Sequence, residues 1–195
     1  MGKSRLVSFS DGVIAIIITI MVLEMKVPRG ASLESLAPLL PVFLSYVLSF
    51  IYVAIYWNNH HHMMHACEHV DARILWANMN LLFWLSLLPF ATGWVGENHL
   101  APLPTAVYGV ALLMPAVAYY LLQWALIRRH GEDGVLARAI GRNFKAKLSP
   151  VLYLTGIGLA FVAPWISALI YVAVALMWVI PDRNIEKALA RAETK

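Results

Sequence analysis

Long apolar runs, separated by short polar or proline-containing breaks, dominate the pattern of the chain. A helix that crosses a membrane needs about 20 mostly apolar residues. On that measure the runs predict six spans: Arg5–Met25, Leu33–Trp57, Ile74–Trp94, Thr105–Ile127, Pro150–Val162 and Ile166–Ile180. Pro28, Arg29 and Gly30 make the first break, and Asn58–Arg73 forms a polar segment before the third span. A turn at Gly96–His99 with Pro102 and Pro104 follows, then the hydrophilic stretch Arg128–Ser149 and a tight turn at Ala163–Trp165. Pro38 and Pro41 fall near a helix start, where proline is tolerated, and Pro115 predicts a kink in the fourth span. The expected fold is all-α and membrane-integral, with one six-helix unit over residues 1–181 and a short charged tail over 182–195. No internal repeat is evident.

Composition strengthens that reading. Of 195 residues, 61% are hydrophobic and 13% charged, against roughly 45–50% and about 25% in soluble domains. Lipid, not water, is therefore expected to cover most of the surface. The net charge of +4 does not point to nucleic acid, because Lys and Arg stand between the apolar runs and at the C-terminal end. Thirteen of them fall on the side that receives both termini, Asn58–Arg73 and Arg128–Ser149, and only Lys26 and Arg29 on the other. The positive-inside rule then places both termini in the cytoplasm and requires an even number of spans. The single cysteine, Cys67, excludes an intramolecular disulfide. No small-residue cleavage pattern follows the first run, so it reads as a retained helix.

The first helix carries the most chemistry. Asp11 lies in or at the edge of an apolar span, where an acid is costly and normally faces protein or water. With Ser10 it is expected to form a polar lock on the cytoplasmic half of the helix; the plainer reading is a water-accessible cap. Downstream, His60, His61, His62, His65 and His69 cluster with Cys67, Glu68 and Asp71. His61, His65 and His69 recur every four residues, a spacing that can chelate zinc or copper. The surrounding pattern matches no metal motif, and hydrogen bonding to Ser10 and Asp11, with pH sensitivity, is the preferred reading. Asn78 and Asn80 are expected to make inter-helical hydrogen bonds. The seven Trp residues suit interface anchoring and packing. Glu24 reads as a solvated residue paired with Lys26 or Arg29, with a possible second role in concentrating cations. Gly156 and Gly158 read as close helix packing. There is no nucleophile elbow, phosphate-cradling glycine loop or paired carboxylate within a span, so no enzyme is indicated.

The pattern Arg5, Phe9, Ser10, Asp11, Gly12 at the head of the first span resembles the signature of the transmembrane protein 175 family of potassium channels. Trp57–His61, Asn80–Leu82 and Leu88–Phe90 add to the likeness, and a single six-helix unit matches its prokaryotic type. The resemblance implies a homotetramer in a prokaryotic inner membrane, with first helices around a central pore and no cofactor beyond permeant potassium and other monovalent cations. It implies a hydrophobic constriction in place of a carbonyl filter, and the chain has no Thr-Val-Gly-Tyr-Gly segment. Carried over from the signature aspartate, the constriction falls on Ile16, Ile20 and Leu23, with Thr19 on its flank. Those three positions lie within about 60° on a helical wheel, and Asp11 points about 140° from Ile16. Isoleucines at such spacing are ordinarily packing or lipid-facing, so the pore reading rests on the signature. From their place along the chain, His60, His61, His65 and Asn80 are the candidate polar partners of the lock. The competing function is a secondary cation or metal transporter that uses the histidine cluster.

Overall fold

A computed structural model describes residues 2–65, 67, 69–130 and 144–179. All regular structure among them is helical. Helix α1 spans Lys3–Leu23, a 3₁₀ helix covers Leu33–Leu39, and α2 spans Leu40–His65. Then come α3 (Ala72–Ser86), α4 (Leu88–Glu97), α5 (Pro102–His130), α6 (Phe144–Leu159) and α7 (Pro164–Val179). Since α3 and α4 are two halves of one apolar segment, the α-helices among the described residues amount to six. Among the described residues, four segments are long and apolar enough to cross a membrane: Lys3–Leu23, Leu33–His65, Ala72–Glu97 and Pro102–Arg129. Helices α6 and α7 have 16 residues each, about 24 Å at 1.5 Å per residue, a little short of the roughly 30 Å hydrocarbon core.

The expected boundaries shift for local reasons. The second span begins as a 3₁₀ helix because Pro38 and Pro41 remove backbone donors at its start. It also continues two turns past Trp57 to His65, so Asn58–His65 is helix and not a polar connection. Met63 and Met64, both 1% exposed, bury that extension. The third span breaks at Leu87, where Pro89 in the first turn of α4 has no N–H to continue the ladder. Gly96 and Glu97 belong to α4 instead of the following turn. A Cβ on Gly96 would stand 2.8 Å from the Val42 backbone, so the glycine allows α4 to lie against α2. The turn falls on His99 and Leu100, both with positive φ. Helix α5 runs through Pro115 without interruption. Helix α6 starts at Phe144, earlier than Pro150. Ile180 and the tail 182–195 lie outside the described residues.

Helix α1 packs on α2, α3 and α4, while α5 joins α3 and α4 to α6 and α7. Where α5, α6 and α7 meet, a Cβ on Gly109 or Gly156 would collide with the Tyr171 ring or its hydroxyl. Gly158, by contrast, faces open space. Several polar side chains inside the bundle pair with one another, as a medium without water favours. The Ser49 hydroxyl sits 2.7 Å from that of Thr92 and 2.8 Å from that of Tyr108. Tyr52 donates to the Tyr171 carbonyl at 2.6 Å.

Candidate functional site

Two faces divide α1. Leu6, Ser10, Ile14, Ile17 and Met21 recur every three or four residues and are buried against α2, α3 and α4. Phe9, Gly12, Ile16, Thr19, Ile20 and Leu23 occupy the other side, and all are exposed in the single chain. Ile16 is 59% exposed, Ile20 42% and Leu23 74%, whereas Ile17 is 2% exposed. Thr19 donates its hydroxyl to the Ala15 carbonyl at 2.9 Å, which satisfies it within its own helix. A Cβ on Gly12 would meet nothing within 4 Å. Arg5 is exposed, on the same side as Phe9.

The buried side carries the polar contacts. The Ser10 hydroxyl donates to the Leu6 carbonyl at 2.9 Å and accepts from Asn78 Nδ2, also at 2.9 Å. Asn78 Oδ1 lies 2.8 Å from His60 Nε2. With Nδ2 already directed to Ser10, Oδ1 is the acceptor and His60 Nε2 the donor. The chain Ser10–Asn78–His60 thereby ties α1, α3 and α2 together, and all three residues are at most 1% exposed. His60 Nδ1 is buried without a partner among the described residues.

Asp11 stands beside this chain, not in it. Its carboxylate accepts from Trp57 Nε1 at 3.0 Å. So Ser10 and Asp11, adjacent in sequence, hold α2 by different routes: one buried through Asn78, the other half-exposed through Trp57. His61 and His65 are exposed on α2. Their rings stack with centroids 6.5 Å apart, and His61 lies 6.1 Å from the Trp57 ring. The His65 carbonyl accepts from Lys3 Nζ at 2.9 Å. Asn80 is half-buried and makes no side-chain hydrogen bond among the described residues. Among those residues no three His, Cys, Asp or Glu side chains gather as metal ligands.

Two partners differ from the sequence expectation. Asn78, not a direct histidine contact, bridges Ser10 to His60, and Trp57 serves as a hydrogen-bond donor as well as an apolar ring. The signal for Asn78 lies in the spacing Ile74, Asn78, Leu81, Leu85, which is the buried stripe of α3. For His60 it lies in Ser49, Tyr52, Tyr56, His60, Met63 on α2. Trp57 Nε1 has no comparable sequence signal. At the far end of α1, Lys26 pairs with Glu97 at 2.6 Å instead of with Glu24. The hydrogen bond to Glu97, and then its charge, raise the Lys26 amine above the usual lysine value.

Comparisons with known proteins bear on this arrangement. A family model described as the endosomal/lysosomal potassium channel TMEM175 matches residues 5–89, which include α1 from Arg5 onward, the Asn78 bridge and the break at Leu87. A protein of Chryseobacterium sp. (strain P1-3), named as a potassium channel, is 54% identical over 189 residues, 97% of this chain and 98% of that protein. A Streptomyces collinus protein, also named as a potassium channel, is 31% identical over 174 residues, 83% of this chain and 84% of its own length. Among solved structures, the crystal structure of a lysosomal potassium-selective channel TMEM175 homologue from Chamaesiphon minutus superposes with a TM-score of 0.79 at 28% identity, covering 92% of this chain and 97% of that one.

Proposed function

This chain belongs to the TMEM175 family, whose members are channels and not enzymes, and from that premise we propose that it forms a homotetrameric potassium-permeable pore lined by α1. The observation that carries the proposal is the unpartnered apolar face of α1: Ile16, Ile20 and Leu23 are exposed while Ile14, Ile17 and Met21 are buried. Lipid can cover an apolar face, but the Arg5–Gly12 signature at the head of this one favours symmetric copies of α1 around an axis as its cover.

In this reading Ile16, Ile20 and Leu23 form successive constricting rings, with Thr19 on their flank and Gly12 widening the path on the Asp11 side. A ring of isoleucines offers no oxygen to replace an ion's water, so it closes by dewetting and passes ions that keep part of their hydration. Potassium holds water less tightly than sodium, which favours potassium without carbonyl coordination. Such a pore discriminates modestly. Arg5, Phe9, Ser10, Asp11 and Gly12 set the angle of the helix, Ser10 through Asn78 and Asp11 through Trp57. The excess of Lys and Arg on one side supports a multi-pass protein of a prokaryotic inner membrane with both termini in the cytoplasm. Potassium and other monovalent cations are the permeant species, lipid is the surrounding partner, and no cofactor or nucleic acid has a role.

The test is flux into liposomes with potassium and sodium gradients compared. Potassium flux is expected to exceed sodium flux without saturating, and Ile16→Asn is expected to raise both and narrow their difference. Unchanged conductance and selectivity in that variant would remove Ile16 from the pore. Saturable, coupled flux lost on changing His61 and His65 would favour a carrier built on the histidines.

A further inference from the structure

Away from α1, a cavity of about 350 Å³ lies between α2, α5, α6 and α7. Val117 and Tyr120 line it and are 38% and 62% exposed, so it reaches the outer surface of the bundle. Ile55, Val117 and Pro150 supply an apolar wall. Asn59, Gln123 and Lys147 supply a polar end. Asn59 lies within two turns of the His65 end of α2, Gln123 within two turns of the His130 end of α5, and Lys147 in the first turn of α6. The polar end therefore sits at one border of the bundle, and the apolar wall runs inward from it.

Lys147 is exposed and has no acidic neighbour among the described residues. A cation above an apolar slot that opens sideways complements an amphiphile with an acidic head. A free inorganic anion would leave the apolar wall without a role, and a neutral lipid would leave Lys147 without one.

We propose that this cavity holds one anionic phospholipid from the leaflet on the Lys147 side, with its phosphate on the Lys147 ammonium and an acyl chain against Ile55, Val117 and Pro150. The volume suits part of one chain beneath a headgroup, not a whole lipid. The cavity takes its walls from α2, α5, α6 and α7 and none from α1, so the site stands apart from the α1 face and would persist whatever that face lines.

Native mass spectrometry of the full chain, titrated with phosphatidylglycerol or phosphatidylcholine, tests it. Phosphatidylglycerol is expected to bind more tightly. Lys147→Ala is expected to weaken it about five-fold, the contribution of one basic residue near an anionic surface, and Lys147→Arg to retain it. Ala116→Trp, which fills the slot, is expected to abolish retention of both lipids; Val117→Phe serves if that variant does not fold. Equal binding of the two lipids, or binding indifferent to Lys147, overturns the proposal. So does loss on Lys147→Ala with full binding in both filled-slot variants, since the lipid would then be on the surface alone. A change of oligomeric state in Val117→Phe with lipid retention unchanged would assign the slot to a second copy and likewise overturn it.

Discussion

Ile16 and Ile17 are neighbours on one helix with the same side chain, yet one is 59% exposed and the other 2%. The face that holds Ile17 meets α2, α3 and α4 inside the subunit. The face that holds Ile16 is left exposed among the described residues. Hydropathy cannot separate the two, because in lipid both are acceptable on any side of a helix. What separates them is the small set of polar groups that cannot turn toward lipid. Asn78 and His60 are such groups, and Ser10 is the α1 side chain that accepts from Asn78 Nδ2. With Ser10 fixed inward, the rotation of α1 is set, and residues about 100° apart along the helix inherit opposite fates.

The comparison can be broken most sharply with matched truncations. Ile17→Ala is expected to destabilise the detergent-solubilised protein by about 2–4 kcal/mol, since it empties a closed site. Ile16→Ala is expected to stay within about 0.5 kcal/mol for the subunit, while changing flux. Thermal unfolding followed by circular dichroism measures both, and equal losses would mean that the two faces are not distinct. A smaller effect is expected for Asn78→Leu, about 1–2 kcal/mol, because it leaves Ser10 and His60 without their shared partner in a dry interior. Restoring stability by adding Ser10→Ala and His60→Leu would show that the cost comes from stranded polar atoms and not from the shape of Asn78. The smallest effect belongs to the other end of the helix. Lys26→Met is expected to leave the melting temperature unchanged at neutral pH, because the Lys26–Glu97 pair is exposed. Since the pair raises the amine's pKa, any contribution is present below the ordinary lysine value of 10.5 and is lost as pH rises past it. A melting curve that changes between pH 6 and 8 on this substitution would contradict that assignment.

Much of this protein was legible without coordinates. The count of apolar runs and the breaks between them determine an all-helical membrane protein, because a bilayer tolerates little else. The Arg5–Gly12 signature placed the candidate site on α1, and the Ile16, Ile20, Leu23 spacing made those residues one stripe. Local polarity misled where it was taken for a loop: Asn58–His65 reads as a connection, but Met63 and Met64 bury it as two more turns of α2. The uninterrupted third span concealed the break at Leu87, since Pro89 is common both within a membrane helix and at the head of a new one. Only the tertiary structure decided which asparagine meets Ser10, that Trp57 reaches Asp11, and that Lys26 pairs with Glu97 across the chain instead of with Glu24. Those choices depend on helix rotation and on contacts between residues 46 to 71 positions apart. A one-dimensional pattern records periodicity, and so gives each helix its stripes; the identity of the neighbour that covers a stripe appears only when the helices are packed.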